Sequence, residues 1–535
     1  MSFGVNETSA IDLLREELLR LLALVRGGTL DPTRAKVPFS VLLADFGVNQ
    51  AGLSTKHLDD LEDLALLLLA HPPLEIDMVI GRASQTGNDP NTTASALAGF
   101  LQRADGIGLS LQGPPGTGKT TVTGELIAQL VAAGQRVAVS SNTNEAINNL
   151  LRKVQDRLDA RSSSALVVKV ASSSSEKADV KALAGSRVQA LQEKNLSSIP
   201  AVLGGTIFTF VKEAYDETPF DLLVIDEAGQ VSLSNLLYMS RIARNIILVG
   251  DQQQLSQPNR AAHPEDSGLS CLDYVMAKEP VVPNDRGVFL ATSWRMPPAL
   301  TQVVSNLFYA GKLQAAAANS ANRVEWLGQA QGLLFEPVHH SGNCTASEEE
   351  VERIAALVDQ LYGQPYHRAK LVNGEMTTVR RELGQHDILI TAPYNMQVNR
   401  LQKRIGHKAR IGTVDKFQGQ VAPVAIHSLT ASDGDSAPRG LDFLLDPNRL
   451  NVAISRAQCL SIVVGSPELA TGVSNSIGNV QRLNRLCSLM AAELPPDGQE
   501  VGAWPVLYTP PTGRSASPTA RLVMSRSASS CSRSA

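Results

Sequence analysis

The sequence predicts an α/β fold of two tandem units, each a parallel sheet flanked by helices, behind a helical N-terminal extension. Three observations lead there. Short apolar runs bounded by Gly, Asp, Asn or Ser alternate with helical stretches from Gly108 onward. The alternation starts again after about residue 345, and the first 90 residues carry helical periodicity.

In chain order, Ile11, Leu14, Leu18, Leu21 and Val25 fall on one helical face and residues 58–69 form a second apolar stretch, as in a packed helical domain that could also recruit a protein partner. This region is acidic: thirteen Asp and Glu face seven Lys and Arg through residue 90, a net −6 that leaves +2 for the rest of a chain whose formal charge is −4. Strands are expected at 109–111, 137–139, 222–225 and 246–249, continuous Leu/Ile/Val runs of the kind buried on both faces of a parallel sheet. Residues 151–204 read as a Ser-rich, helix-leaning insertion and 259–286 as a loop-rich connector. Thr345 and Glu348 make a capping box for a helix with Val351, Ile354, Val358 and Leu361 on its apolar face. Strands follow at 388–390, 424–429 and 460–464. The expected domains are 1–90, 91–300 with the insertion 151–204, 301–490, and a tail from 491 to 535. Eight Ser and four Arg without an acid over residues 509–535 predict an unstructured end.

The bulk numbers exclude several classes. With 43% hydrophobic and 19% charged residues the composition is that of a globular protein. The longest strongly apolar stretch, 64–70, is far short of the roughly 20 residues that span a bilayer, so no membrane partner is expected. Glu7, Asp12, Glu16 and Glu17 interrupt any signal-like start, and five cysteines without a CxxC pair suggest neither a disulfide framework nor a zinc site. The expectation is a cytoplasmic protein.

Residues 113–120 read Gly-Pro-Pro-Gly-Thr-Gly-Lys-Thr, a complete GxxxxGK[ST] between an expected strand and the helical run 121–131, the context in which the pattern signifies phosphate binding. Gly113, Gly116 and Gly118 let backbone N–H groups turn inward at a helix N-terminus, with Pro114, Pro115, Thr117 and Thr121 completing the loop. Lys119 would neutralise β- and γ-phosphate oxygens, and Thr120 would ligate Mg²⁺. Residues 222–230 end an apolar strand in adjacent acids. Asp226 suits the Mg²⁺ shell, and Glu227 suits polarising an attacking water, which points to ATP hydrolysis.

At this point the chain, from about residue 90 to 470, resembles the superfamily 1, B-branch helicases of the up-frameshift and senataxin type. The hallmark DEAxQ is here Asp226 to Gln230, and ordered matches surround it: residues 141–146 (SNTNEA), 250–255 (GDQQQL), 293–296 (SWRM), 392–395 (APYN), 413–420 (TVDKFQGQ) and 449–457 (RLNVAISRA). The resemblance implies two RecA-like P-loop domains and an ATP-driven motor moving 5′ to 3′ on single-stranded or partly duplex DNA or RNA. It implies that Gln254 senses the γ-phosphate, that Arg295 and Arg456 reach it from the second unit on closure, and that Trp294 stacks on adenine. It further implies nucleic-acid contacts at Thr143, Asn144, Tyr394, Thr413 and Lys416, through hydroxyls, amides and backbone that carry no sequence information.

Two departures concern base and sugar. Residues 91–98 contain no Gln to read adenine, and Val421 stands where the family has an acid for the ribose, which predicts loose nucleotide selection. No β-rich accessory segment is evident, so an ATP-gated clamp or a nucleotide switch without processive unwinding stays open beside the helicase reading.

Overall fold

The computed structural model describes residues 89–492, apart from 173–174, 197, 211–214, 216–219, 257–268, 277–278, 285, 373–374, 418, 435–436 and 472–475. The helices expected in the acidic N-terminal region and the unstructured end expected of the Ser/Arg tail lie outside the described residues.

The first unit opens with α1 (Pro90–Leu101), whose N-cap Asp89 accepts from Thr92 N. It continues β1 (Gly108–Gln112), α2 (Lys119–Ala132), β2 (Val137–Ser141), α3 (Asn144–Ala160), β3 (Val167–Val170), α4 (Glu176–Ala182), β4 (Gln189–Leu191), β5 (Val202–Gly204), α5 (Ile207–Phe210), β6 (Phe220–Asp226), α6 (Leu233–Ser240), β7 (Ala243–Gly250), α7 (Cys271–Met276) and β8 (Gly287–Phe289). Eight strands pair in the order β4-β3-β5-β2-β6-β7-β1-β8, every pairing parallel. Alternation across the pleat divides the core in two. Leu222 and Val224 of β6 and Ile247 and Val249 of β7 face α1 and α2. Leu223, Ile225, Ile246 and Leu248 face Leu236 and Met239 of α6. Each strand is therefore apolar on both sides, which is why it reads as a continuous run.

Residues 151–204, expected to lean helical, supply the second half of α3 and all of α4, and beside them three strands that widen the sheet and were not expected from the sequence. Strands of three or four residues are too short for a period to show in the sequence. The connector 259–286 holds α7 in its described part.

Ahead of the second unit's main sheet, β9 (Thr292–Ser293) pairs with β10 (Gln314–Ala315) around α8 (Pro298–Phe308), and α8 packs against the second unit, to which it and the following Tyr309 belong. The second unit then runs β11 (Arg323–Val324), β12 (Gly332–Pro337), α9 (Glu348–Leu361), β13 (Pro365–Val372), β14 (Glu375–Glu382), β15 (Ile388–Thr391), α10 (Asn395–Ile405), β16 (Arg410–Gly412), β17 (Ala422–Ser428), α11 (Gly440–Leu444), α12 (Pro447–Ile454), β18 (Ala457–Gly465) and α13 (Ile477–Met490). Its main sheet, β12-β18-β17-β15-β16, is parallel throughout. Two parallel α/β units in tandem are thus present as the sequence predicts.

Two details differ from expectation. The cap of α9 is Ser347, whose Oγ accepts from Glu350 N at 3.1 Å, and not Thr345. A β-rich segment does exist: β13 and β14 form an antiparallel hairpin that joins β11 in a three-stranded sheet. Among the described residues no helix is long and apolar enough to cross a membrane.

Candidate nucleotide site and nucleic-acid interface

In a parallel sheet the strands' carboxyl ends share one edge, and ligands bind in the crevice outside it. Strands β6, β7 and β1 are neighbours, so Asp226, Asp251 and the 113–120 loop come together there. The loop turns through Gly116 and Gly118, at φ +79° and +82°, left-handed values that glycine adopts without strain. A Cβ at Gly116 would also sit 2.4 Å from Arg295 Cβ. Thr117 Oγ1 donates to Pro114 O at 2.8 Å, and Lys119 Nζ donates to Gly113 O.

One cavity is lined by residues 114–121, Asp226, Glu227, Gln254, Arg295 and Arg456. Of the residues expected to bind or act on nucleotide, all but Gly113 and Trp294 line it. Gly113 lies just behind, its carbonyl holding Lys119. Trp294 is 44% exposed outside the cavity wall. Thr143, expected at the nucleic-acid face, lines this cavity too, as do Glu145, Asn149, Gln230 and Gly419, to which the sequence attached no role. Thr143 is here because it caps α3, its Oγ1 accepting from Ala146 N at 3.2 Å.

Burial and the neighbouring Glu227 charge raise the Asp226 carboxyl to about 7, against the pull of Lys119. Burial lowers Arg295 to about 9, helped by the adjacent Arg456, and lowers Arg456 to about 10. Both guanidinium groups remain charged at neutral pH. Their hydrogen bonds go to carbonyls, Arg295 Nη1 to Ser455 O at 3.0 Å and Arg456 Nη1 to Gln420 O at 3.3 Å, and the buried Arg456 Nε has no partner. Buried cations are costly without an anion. Two of them facing a glycine-turned loop and Lys119 fit a polyphosphate, and Thr120 with Asp226 fits the hard oxygen ligation of Mg²⁺.

Arg295 is tied to both units. Trp294 N donates to Gly116 O at 2.8 Å and Ser293 Oγ to Pro115 O at 3.1 Å, which bind β9 to the first-unit loop. Asn322 Nδ2 reaches Arg295 O from the other side at 3.1 Å. Arg295 therefore sits on the seam, and Arg456, between α12 and β18, is the arginine the second unit brings.

Residues 94–264 and 269–468 each match a family described as AAA domain. The chain is 29% identical over 377 residues to the DNA replication ATP-dependent helicase/nuclease DNA2 of Xenopus laevis, covering 66% of this chain and 35% of that protein. It is 25% identical over 410 residues to the ATP-dependent helicase upf1 of Schizosaccharomyces pombe, covering 67% of this chain and 43% of that protein. The chain is thus similar to superfamily 1B helicases across both of its α/β units. It spans roughly a third to two fifths of the length of these relatives.

The remaining positions expected in a superfamily 1B helicase follow the carboxyl ends of the strands. Asn144 opens α3 after β2, Thr413 and the exposed Lys416 follow β16, and Tyr394 follows β15. Tyr394 is buried, its ring 5.7 Å from that of Phe443 and its hydroxyl without a partner. Phe443 is flanked by Arg439 at 3.7 Å and Arg449 at 4.7 Å. On the first unit the same edge carries Phe208, 79% exposed in α5 just after β5. Neither aromatic has a sequence signal of its own, because exposure is set by the fold around it.

Proposed function

We propose that the chain is an ATP-dependent nucleic-acid translocase with helicase activity, hydrolysing ATP with Mg²⁺ while moving on a single strand. The observation that carries the reading is the composite cavity: a phosphate loop, adjacent acids and Gln254 from the first sheet, meeting a buried arginine from the second unit. Thr120 and Asp226 would hold Mg²⁺, which would supply charge neutralisation to the phosphates. Lys119 leaves Gly113 O to bind phosphate. Glu227 orients and deprotonates the attacking water, Gln254 holds that water against the γ-phosphate, and Arg295 and Arg456 stabilise the charge that develops. Because Arg456 belongs to the second unit, hydrolysis responds to how the two units sit together, and a strand lying across both couples to it.

The strand's bed is the carboxyl edge of both sheets. Phe208 on one unit and the Arg439–Phe443–Arg449 stack on the other supply π-faces and guanidinium planes. Such surfaces bind any base, so binding is sequence-independent. Trp294, exposed beside the loop, is available to the nucleotide base.

The test is the ATPase rate with single-stranded DNA, single-stranded RNA or neither, followed by unwinding of duplexes with 5′ or 3′ overhangs. Stimulation by a polymer is expected, and Glu227→Gln should bind ATP and stall. If neither polymer stimulates hydrolysis the motor reading fails. Stimulation without unwinding leaves a translocase or clamp and removes the helicase activity.

A further inference from the structure

The loop that carries Gln254 is gripped from the second unit along its whole length. Tyr309, fully buried at the end of α8, donates its hydroxyl to Asp251 Oδ2 at 2.7 Å. Asn451 of α12 donates its amide to that hydroxyl at 2.8 Å and to Gln253 O at 2.7 Å. Asn448, one turn earlier, donates to Gln252 O at 3.0 Å. Leu255 packs with Val414, Val452 and Ala453 of the same unit. Gln254 in turn donates Nε2 to the Asp251 oxygen that Tyr309 also holds, at 2.8 Å.

An ionised carboxylate only accepts, so Asp251 draws the NH₂ end of the Gln254 amide. The Oε1 end is left to accept a hydrogen bond in the cavity that Gln254 lines. We propose that Tyr309 is a positioning residue for hydrolysis, acting through Asp251 to orient Gln254 and doing so only while the two units are together. Separation of the units withdraws the hydroxyl and both asparagine amides at once. Asp251 then loses the Tyr309 hydroxyl and keeps only the donors of its own loop, Gln253 N and Gln254 Nε2, so the Gln254 amide is held less firmly. Presence of the γ-phosphate and closure of the units become one event, read by a residue whose partners are 58 and 142 residues away in the chain. This rests on the ATP-hydrolysis reading above.

The test is Tyr309→Phe, which keeps the ring and removes the hydroxyl, assayed for kcat and KM with saturating single strand, for nucleotide affinity without a strand, and for thermal melting. The expected result is a kcat lower by about 10- to 100-fold, the size of a lost hydrogen bond to a charged group. KM and strand-free affinity should stay within about threefold, since the hydroxyl touches no nucleotide. Asn451→Ala should lower kcat less, and the double variant should be no slower than Tyr309→Phe alone, as expected for members of one chain of contacts. A Tyr309→Phe enzyme at wild-type kcat overturns the proposal. So do losses that multiply independently, or a fall in kcat matched by an equal loss of nucleotide affinity. If Tyr309→Phe does not fold, Asn451→Ala with unchanged kcat overturns it. A wild-type chain that hydrolyses no ATP refutes the underlying function instead, a separate outcome.

Discussion

Replacing Gly116 by alanine tests the joint between the phosphate loop and β9. The new Cβ would lie 2.4 Å from Arg295 Cβ and 3.1 Å from Ser293 Oγ, at φ +79°. Carbon atoms in contact stay about 3.5–4.0 Å apart, so β9 must retreat by more than about 1 Å or the loop must unwind. Left-handed backbone costs a non-glycine residue roughly 1–2 kcal/mol. Retreat of β9 breaks the Trp294 N to Gly116 O and Ser293 Oγ to Pro115 O bonds, each worth about 1 kcal/mol. The expected loss is therefore about 3–4 kcal/mol of stability. A misplacement of about 1 Å at Arg295 should lower kcat by about 100-fold. Gly134→Ala is the control, because Gly134 has φ +86° but nothing within 4 Å of its Cβ position. It should lose only the roughly 1–2 kcal/mol backbone term and keep its kcat. Urea melts and steady-state ATPase assays of both variants decide. Equal stability losses, or a Gly116→Ala enzyme that turns over like the wild type, would refute the steric argument.

Three further outcomes are expected. Phe208→Ala should weaken single-strand binding by about 1–3 kcal/mol, as loss of one stacked base does, with strand-free ATPase unchanged; fluorescence anisotropy on a labelled oligonucleotide checks it. Burial lowers His427 to about 4 against about 6.5 when unfolded, so it is neutral in the folded chain. The unfolded chain binds the extra proton, and stability falls as pH drops from about 6.5 toward 4, by about 3 kcal/mol at the end. Urea midpoints should therefore decline more steeply below pH 7 for the wild type than for His427→Gln. With no glutamine at 91–98 and Val421 at the ribose position, GTP and dATP should give kcat/KM within about tenfold of ATP, and a preference beyond about 1.4 kcal/mol contradicts this.

What could be read in advance was whatever is local and strongly patterned. The strands around 222–225 and 246–249 are apolar on consecutive residues because both sheet faces are covered, and the 113–120 loop states its conformation through its glycines. What escaped depends on residues far apart. Strands β3 to β5 are too short for a period, and the hairpin β13–β14 has no apolar alternation because much of it is exposed. The cap of α9 went to Ser347 because its backbone is extended there, at φ −127° and ψ 118°. Arg295 was expected from the second unit alone, since only the bonds of Trp294 N to Gly116 O and of Asn322 Nδ2 to Arg295 O reveal a seam. Tyr309 looks like any core aromatic until the two units meet.

The seam also sets a schedule during synthesis. The phosphate loop leaves the ribosome early, and its supporting strand β8, which pairs with β1 along Ser110–Gln112, follows much later. Arg456 follows later still. At roughly 5–20 residues per second the nascent first unit exists for about 8–33 seconds with its glycine loop formed and no second arginine. On the function proposed above, the growing chain would over that interval bind a nucleotide without consuming it, and turnover would wait until the helix that ends at Ile454 has folded against the first unit.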